Sequence, residues 1–256
     1  VWNRGAGNRP SSRAAFPLGM TIEGEVEWAD LTEPTMTSIL VGGTAGSGKS
    51  VFLRAAAVGL ALNASQRELQ LTLIDPKRVS FTDLKDLPHL TSRVLMESAD
   101  ALEALEALAE TMDERYRILE ASGEADVTGY NERNPVLPHQ VVLIDEYADL
   151  VMDKKHKERL EACVQRLGQK GRAAGVHLLL STQRPASKII TPAIKANLQL
   201  KVALKVTSSS NSRVILDENG AESLVGHGDM LVGGSVPVQR LQGPLVTQAD
   251  VRAVCS

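Results

Sequence analysis

The chain has 256 residues, 43% of them hydrophobic, enough to bury the core of one large α/β domain or two small ones. Its 28 basic and 31 acidic residues leave a net charge of −3, so overall charge gives no case for a nucleic-acid partner and any polyanion site must be local. Cys163 and Cys255 lie far apart without metal-ligand spacing, which argues against a disulfide framework or a zinc site and for a reducing compartment. No apolar stretch approaches the ~18 residues a spanning helix needs.

In chain order, residues 1–17, with Arg4, Arg9, Pro10 and Arg13, read as a lead-in, and the folded domain is expected over 18–256. The start at Val1 rather than Met suggests a piece of a longer protein. From Ser38 onward apolar runs and amphipathic segments alternate. The pattern predicts a strand over 38–43, a helix over about 48–62, a strand over 69–74 and a long helix over about 98–121. It continues with a strand over 140–145, a helix over about 156–173, strands over 176–181 and 199–206, and short helical segments near 209–224. The long helix places Leu102, Leu105, Leu108, Ala109 and Met112 on one stripe and Glu103, Glu106 and Glu110 outside it. Lys154, Lys155, Lys157 and Arg159 read as a solvated helix start. Residues 226–243 read as two short extended segments turning at Gly233-Gly234, a closing hairpin or sheet edge. Such alternation predicts an α/β fold, a mainly parallel sheet with helices on both faces.

Three motifs carry chemistry. Gly43-Thr44-Ala45-Gly46-Ser47-Gly48-Lys49-Ser50, followed by Val51, fits the pattern G-x-x-x-x-G-K-[ST] after the apolar run Ile39-Leu40-Val41. Glycines let the backbone curl so that N–H groups face phosphate oxygens, and the following helix aims its positive end at the same charge. A nucleoside triphosphate site follows, with Lys49 expected on the β/γ-phosphates and Ser50 on Mg²⁺. The second motif is the run Val141-Val142-Leu143-Ile144, which ends in Asp145-Glu146. Asp145 is expected in the Mg²⁺ shell and Glu146 to polarise the attacking water, so the pair points to hydrolysis rather than binding alone. Third, Leu178-Leu179-Leu180 runs into Ser181-Thr182-Gln183-Arg184-Pro185, which puts the Gln183 amide at the carboxyl end of a strand as a candidate γ-phosphate sensor. His89, His139, His156, His177 and His227 are scattered without ligand spacing and read as structural or exposed.

These residues together resemble the motor domain of the FtsK/SpoIIIE family of DNA translocases. The resemblance runs from Pro17-Leu18-Gly19 through Ile74-Asp75-Pro76-Lys77, Asp145-Glu146-Tyr147-Ala148-Asp149-Leu150, Arg172-Ala173-Ala174-Gly175 and Thr182-Gln183-Arg184-Pro185 to Ser212-Arg213-Val214-Ile215-Leu216-Asp217 and Gly228-Asp229-Met230-Leu231. It implies a RecA-like P-loop ATPase fold and a hexameric ring around double-stranded DNA, with ATP and Mg²⁺ at each subunit junction. Arg172 is then the candidate arginine finger, and Arg184, Lys188, Lys195 and Arg213 are candidate contacts to the DNA backbone. Asp75 and Lys77 fall to the motor's core rather than to a separate catalytic pair. The chain departs from the family pattern at Ser208-Ser209-Ser210, where a further lysine is expected. A cytoplasmic motor domain is implied, with further domains or a membrane anchor elsewhere in the full protein. Two other readings share these motifs: a type VII secretion motor moving protein, and a nucleotide-gated module without turnover.

Overall fold

The computed structural model describes residues 7–255. Val1–Ala6, including the Arg4 of the expected lead-in, and Ser256 lie outside the described residues. The first strands are β1 (Ala15–Met20) and β2 (Val26–Asp30), followed by β3 (Ile39–Gly42), α1 (Lys49–Asn63), β4 (Leu69–Ile74), α2 (Ser98–Ser122) and α3 (Val127–Asn131). Next come β5 (His139–Ile144), α4 (Tyr147–Met152), α5 (Lys157–Lys170), β6 (Val176–Thr182), α6 (Pro192–Ala196), β7 (Leu200–Leu204) and α7 (Ser209–Leu216). The chain closes with β8 (Asp229–Gly234), β9 (Gln239–Gln242) and α8 (Gln248–Cys255).

The nine strands of the described residues form one sheet in the order β2-β1-β9-β8-β7-β3-β6-β5-β4. From β4 to β7 the neighbours run parallel, and from β7 to β2 they run antiparallel. The expected parallel sheet is therefore the half that carries the motifs. Its strands are apolar on both sides, because each face is covered. Ile39, Val41, Val141, Leu143 and Leu179 pack with α1 and α8, whereas Leu40, Val142, Ile144, Leu178 and Leu180 pack with α2, α4, α5, α6 and α7.

Four expectations need correction. The lead-in ends before residue 17, since Ala14, Ala15 and Phe16 are fully buried and Phe16 packs edge-on to Phe52 of α1. The helix expected to reach residue 173 stops at Lys170. There a Cβ on Gly171 would run into the Val176 carbonyl oxygen, and Gly175 takes φ +66°, so 171–175 form a turn. Gly233 and Gly234 end β8 instead of making its turn, because Gly234 (φ +99°) lies against the Gln199 carbonyl, and the chain reverses over 235–238. The resulting hairpin is interior to the sheet, since β9 goes on to pair with β1. The buried stripe of α2 is as expected, but Glu106 is not simply solvated. It accepts two hydrogen bonds from Arg159 of α5, at 2.9 and 2.8 Å, which takes Arg159 out of the basic cluster.

Candidate nucleotide site

The site lies at the carboxyl edge of the parallel half, where β3, β4, β5 and β6 deliver their last residues to one place. Gly43–Gly48 bridges β3 and α1. Gly46 and Gly48 have φ of +77° and +102°, a region an L side chain rarely adopts. At Gly48 the restriction is also steric: a Cβ would stand 2.6 Å from the Gly228 nitrogen, whose N–H donates to the Ser47 carbonyl at 2.9 Å. α1 carries no acidic residue in its first turn, so its amino end stays favourable to an anion.

Lys49, 3% exposed, donates to the Asp145 carboxylate at 2.7 Å, to the Asp145 carbonyl at 2.5 Å and to Ser181 Oγ at 2.9 Å. Asp145 is buried, so this is an ion pair removed from water. Glu146 is fully buried. Its Oε1 accepts from Thr182 Oγ1 at 2.7 Å, and its Oε2 accepts from the Gln183 backbone N–H at 3.0 Å and from Lys77 Nζ at 2.9 Å. Lys77 also donates to Gln183 Oε1 at 3.1 Å. The two carboxylates that close β5 are thus each matched by an ammonium group.

Ser50 Oγ accepts from Ser80 Oγ at 2.7 Å. Ser80 is placed by Asp75, whose Oδ2 accepts the backbone N–H groups of Ser80 and Phe81 at 2.8 and 3.1 Å. Ser50 and Asp145 are hard oxygen donors, the kind Mg²⁺ takes one or two of while keeping waters and phosphate oxygens as its other ligands. Among the described residues no group of three or more His, Cys, Asp or Glu side chains is placed to hold a metal ion.

A cavity of about 580 Å³ opens over the phosphate loop. It is lined by Thr44, Ala45, Gly46, Gly48, Lys49, Ser50, Val51 and Gln183. His227, Gly228 and the segment Gln242–Leu245 also line it, and none of these is assigned to the site by the motifs. The only signal was the run Gly228-Asp229-Met230-Leu231, and it marked a position without a role. Lys77 and Ser181 are further omissions. Asp75 and Lys77 take separate partners rather than forming a pair, as expected, and the turn after β4 carries Lys77 across to Glu146, which follows β4's partner strand β5.

Arg172 lies away from this site. It is exposed on the turn that precedes β6, whereas Thr182 ends β6 at the site; seven extended residues put about 20 Å between them. The turn is braced on three sides. Arg115 donates to the Ala174 carbonyl at 2.7 Å, Tyr116 donates to the Lys170 carbonyl at 2.7 Å, and Val127 N–H donates to the Ala173 carbonyl at 2.8 Å. Burial lowers the Arg115 pKa to about 10.

The four candidate cations are not gathered in one patch. Arg184 and Lys188 are exposed on the loop after β6. Arg184 N–H donates to Thr182 Oγ1 at 3.0 Å, so the loop is tied to the hydroxyl that holds Glu146. Lys195 lies ahead of β7, at the opposite edge of the sheet, and its ammonium is committed to Asp217 at 2.7 Å and to the Arg213 carbonyl at 2.8 Å. Arg213 is exposed on α7. Ser208, where a lysine was expected nearby, caps α7 by accepting the Asn211 N–H at 3.2 Å.

Two of the scattered histidines meet in the fold. His139 Nδ1 lies 3.1 Å from His177 Nε2, and His177 Nδ1 lies 3.2 Å from the Thr37 carbonyl oxygen. Since the carbonyl needs a donor, His177 carries its proton on Nδ1 and accepts from His139. Burial lowers the His139 pKa to about 4, helped by Arg115, and holds His177 well below the usual histidine range, helped by His139.

Residues 3–187 match the FtsK/SpoIIIE family. The chain belongs to that family. It is 38% identical to the DNA translocase FtsK of Lactococcus lactis subsp. cremoris over 268 aligned residues, covering 99% of this chain and 35% of that protein. It is 37% identical to the DNA translocase SpoIIIE of Bacillus subtilis over 261 residues, covering 96% of this chain and 32% of that protein. The chain thus spans about a third of the length of these relatives. The pCW3 conjugation coupling protein TcpA, solved as a monomer with ATPgS, superposes with a TM-score of 0.84 at 24% identity over 96% of this chain and 70% of that one. The type VII secretion ATPase EccC of Thermomonospora curvata gives 0.81 at 24% identity, over 96% of this chain and 32% of that one. At that identity both share the P-loop ATPase fold, and the secretion likeness carries no further weight for a protein substrate.

Proposed function

We propose that this chain is the ATP-hydrolysing motor unit of a ring that moves double-stranded DNA. The observation that carries the reading is that relatives named DNA translocases match 96–99% of the chain at 37–38% identity. The chain carries phosphate-binding, metal-binding and base residues suited to the task. The glycine loop and Lys49 hold the phosphates, and Glu146 takes the proton of a water whose oxygen attacks the γ-phosphorus as the bond to ADP breaks. Gln183, which lines the cavity together with the phosphate loop, orients the terminal phosphate. Ser50 and Asp145 would hold Mg²⁺, which when bound neutralises charge on the phosphate oxygens.

Arg172 cannot serve its own pocket across about 20 Å of β6, but a braced, exposed cation at the far edge suits a neighbour's pocket. This favours a closed ring, a hexamer by family resemblance, with the motor unit on the cytoplasmic side of any anchor elsewhere in the protein. Arg184, Lys188 and Arg213 are the proposed backbone contacts, which hold a duplex without reading its sequence. Lys195 is proposed as their support, through Asp217 and the Arg213 carbonyl. The test is ATPase activity of the purified chain with and without duplex DNA. Stimulation by duplex that Lys49→Ala abolishes is expected; turnover indifferent to DNA under assembling conditions, with or without a non-hydrolysable analogue to promote assembly, would sink the reading.

A further inference from the structure

Three donors hold Glu146: Thr182 Oγ1 at 2.7 Å on Oε1, Lys77 Nζ at 2.9 Å on Oε2, and the Gln183 N–H shared between Oε1 at 3.2 Å and Oε2 at 3.0 Å. Fully buried and ringed by these donors, the carboxylate offers an incoming water no open approach, and as a base it must first lose a donor. The donors differ in freedom. Thr182 and the Gln183 N–H belong to the end of β6, a strand buried along its whole length between β3 and β5. Lys77 alone reaches in on a long flexible side chain, partly exposed, from the turn after β4. It is the donor that can leave.

The second anchor of Lys77 shows what could release it. Its ammonium also donates to Gln183 Oε1 at 3.1 Å and lies 4.0 Å from Asp149. Gln183 opens the loop that carries Arg184 and Lys188, and the Arg184 N–H is bonded to Thr182 Oγ1. A pull on that loop acts directly on the amide that keeps Lys77 in place.

We infer that Lys77 is a positioning residue, a catch that sequesters Glu146 until contact at the 184–188 loop withdraws Gln183. This rests on the proposed role of Glu146, and it assigns the catch to a residue whose ammonium is bonded to Glu146 and Gln183. Nucleotide then binds without being hydrolysed at full rate, and turnover waits for the loop. The side chain matters for its charge and reach, since a neutral chain of similar length leaves Oε2 open to water.

The test compares wild type, Lys77→Met, Lys77→Gln and Lys77→Arg for steady-state ATPase in the absence of DNA, with affinity for a fluorescent ATP analogue measured alongside. The expected result for Lys77→Met and Lys77→Gln is a rise in the DNA-independent kcat of about fivefold or more, with KM and analogue affinity within twofold of wild type. Lys77→Arg, which restores the ion pair, brings the rate back toward that of wild type. An unchanged or reduced DNA-independent kcat in both neutral variants overturns the inference. So does a rise in KM that accounts for the whole effect, which would make Lys77 a nucleotide contact. Because the readout is taken without DNA, its failure is separate from that of the motor reading, which fails when duplex does not stimulate wild type.

Discussion

Lowering the pH from 7 to 5 weakens the fold through one buried pair, His139 and His177. Both are neutral in the folded chain, and the tautomers are set by the Thr37 carbonyl, so a proton added to His177 Nε2 would face the N–H of His139. The unfolded chain takes up protons near the ordinary histidine pKa of about 6.5, while folded His139 waits until about 4. A histidine with a lowered folded pKa contributes stability that is present above the unfolded pKa and is lost as pH falls toward the folded one. At pH 5 the unfolded state is ahead by about 1.5 pH units on His139 alone, or about 2 kcal/mol, and His177 shifts in the same direction. That is a large share of the 5–15 kcal/mol typical of a domain. Urea titrations at pH 7, 6 and 5 measure the loss in wild type and in His139→Gln/His177→Gln, whose amides do not titrate. Subtracting one profile from the other cancels the carboxylates common to both. A difference that stays flat to within about 0.5 kcal/mol from pH 7 to 5 would refute the assignment of the pair as neutral and buried.

Three further outcomes follow from the geometry. Lys49→Met should lower stability by about 3–5 kcal/mol, because it leaves Asp145 buried and unpaired, and Lys49→Met/Asp145→Asn should recover most of the loss without recovering nucleotide turnover. Thermal unfolding reads it, and a single variant that melts with wild type contradicts the ion pair. Arg172→Ala should cut turnover by about 10³-fold or more and be rescued in mixed assemblies with Lys49→Ala subunits, whereas full activity in an isolated subunit would remove the shared site. Arg184→Ala, Lys188→Ala and Arg213→Ala should each weaken binding to all duplex sequences alike and lower the slope of log affinity against log salt by about 1, while Lys195→Ala leaves the slope near that of wild type. Fluorescence anisotropy across a salt series measures this, and a sequence-dependent loss would contradict backbone contact.

The phosphate loop, the acidic pair after β5 and the parallel half of the sheet were legible in the linear order, because each depends on neighbours in sequence. Glycine spacing sets the loop, and alternating apolar runs set strands buried on both faces. What required the tertiary structure was whatever one element does to another. β1 is short and interrupted by Pro17 and Gly19, β2 pairs with β1, and the two join the rest of the sheet through the pairing of β1 with β9, formed more than 200 residues later. Part of the cavity lining comes from His227 and Gln242–Leu245, brought to the phosphate loop where the Gly228 N–H donates to the Ser47 carbonyl.

The same division runs through the charged residues. Sequence alone named Lys49, Asp145 and Glu146, since their types and spacing belong to phosphate chemistry. It could not say that Lys77 reaches Glu146, that His139 meets His177, or that Lys195 is held by Asp217, because strand order and helix placement decide which side chains come within 3 Å of each other. Arg172 shows both parts. The sequence supplied the arginine between Gly171 and Gly175, and the fold placed it at the edge of the sheet opposite its own nucleotide pocket. The length of β6 is the physical reason that this arginine stands apart from its own pocket.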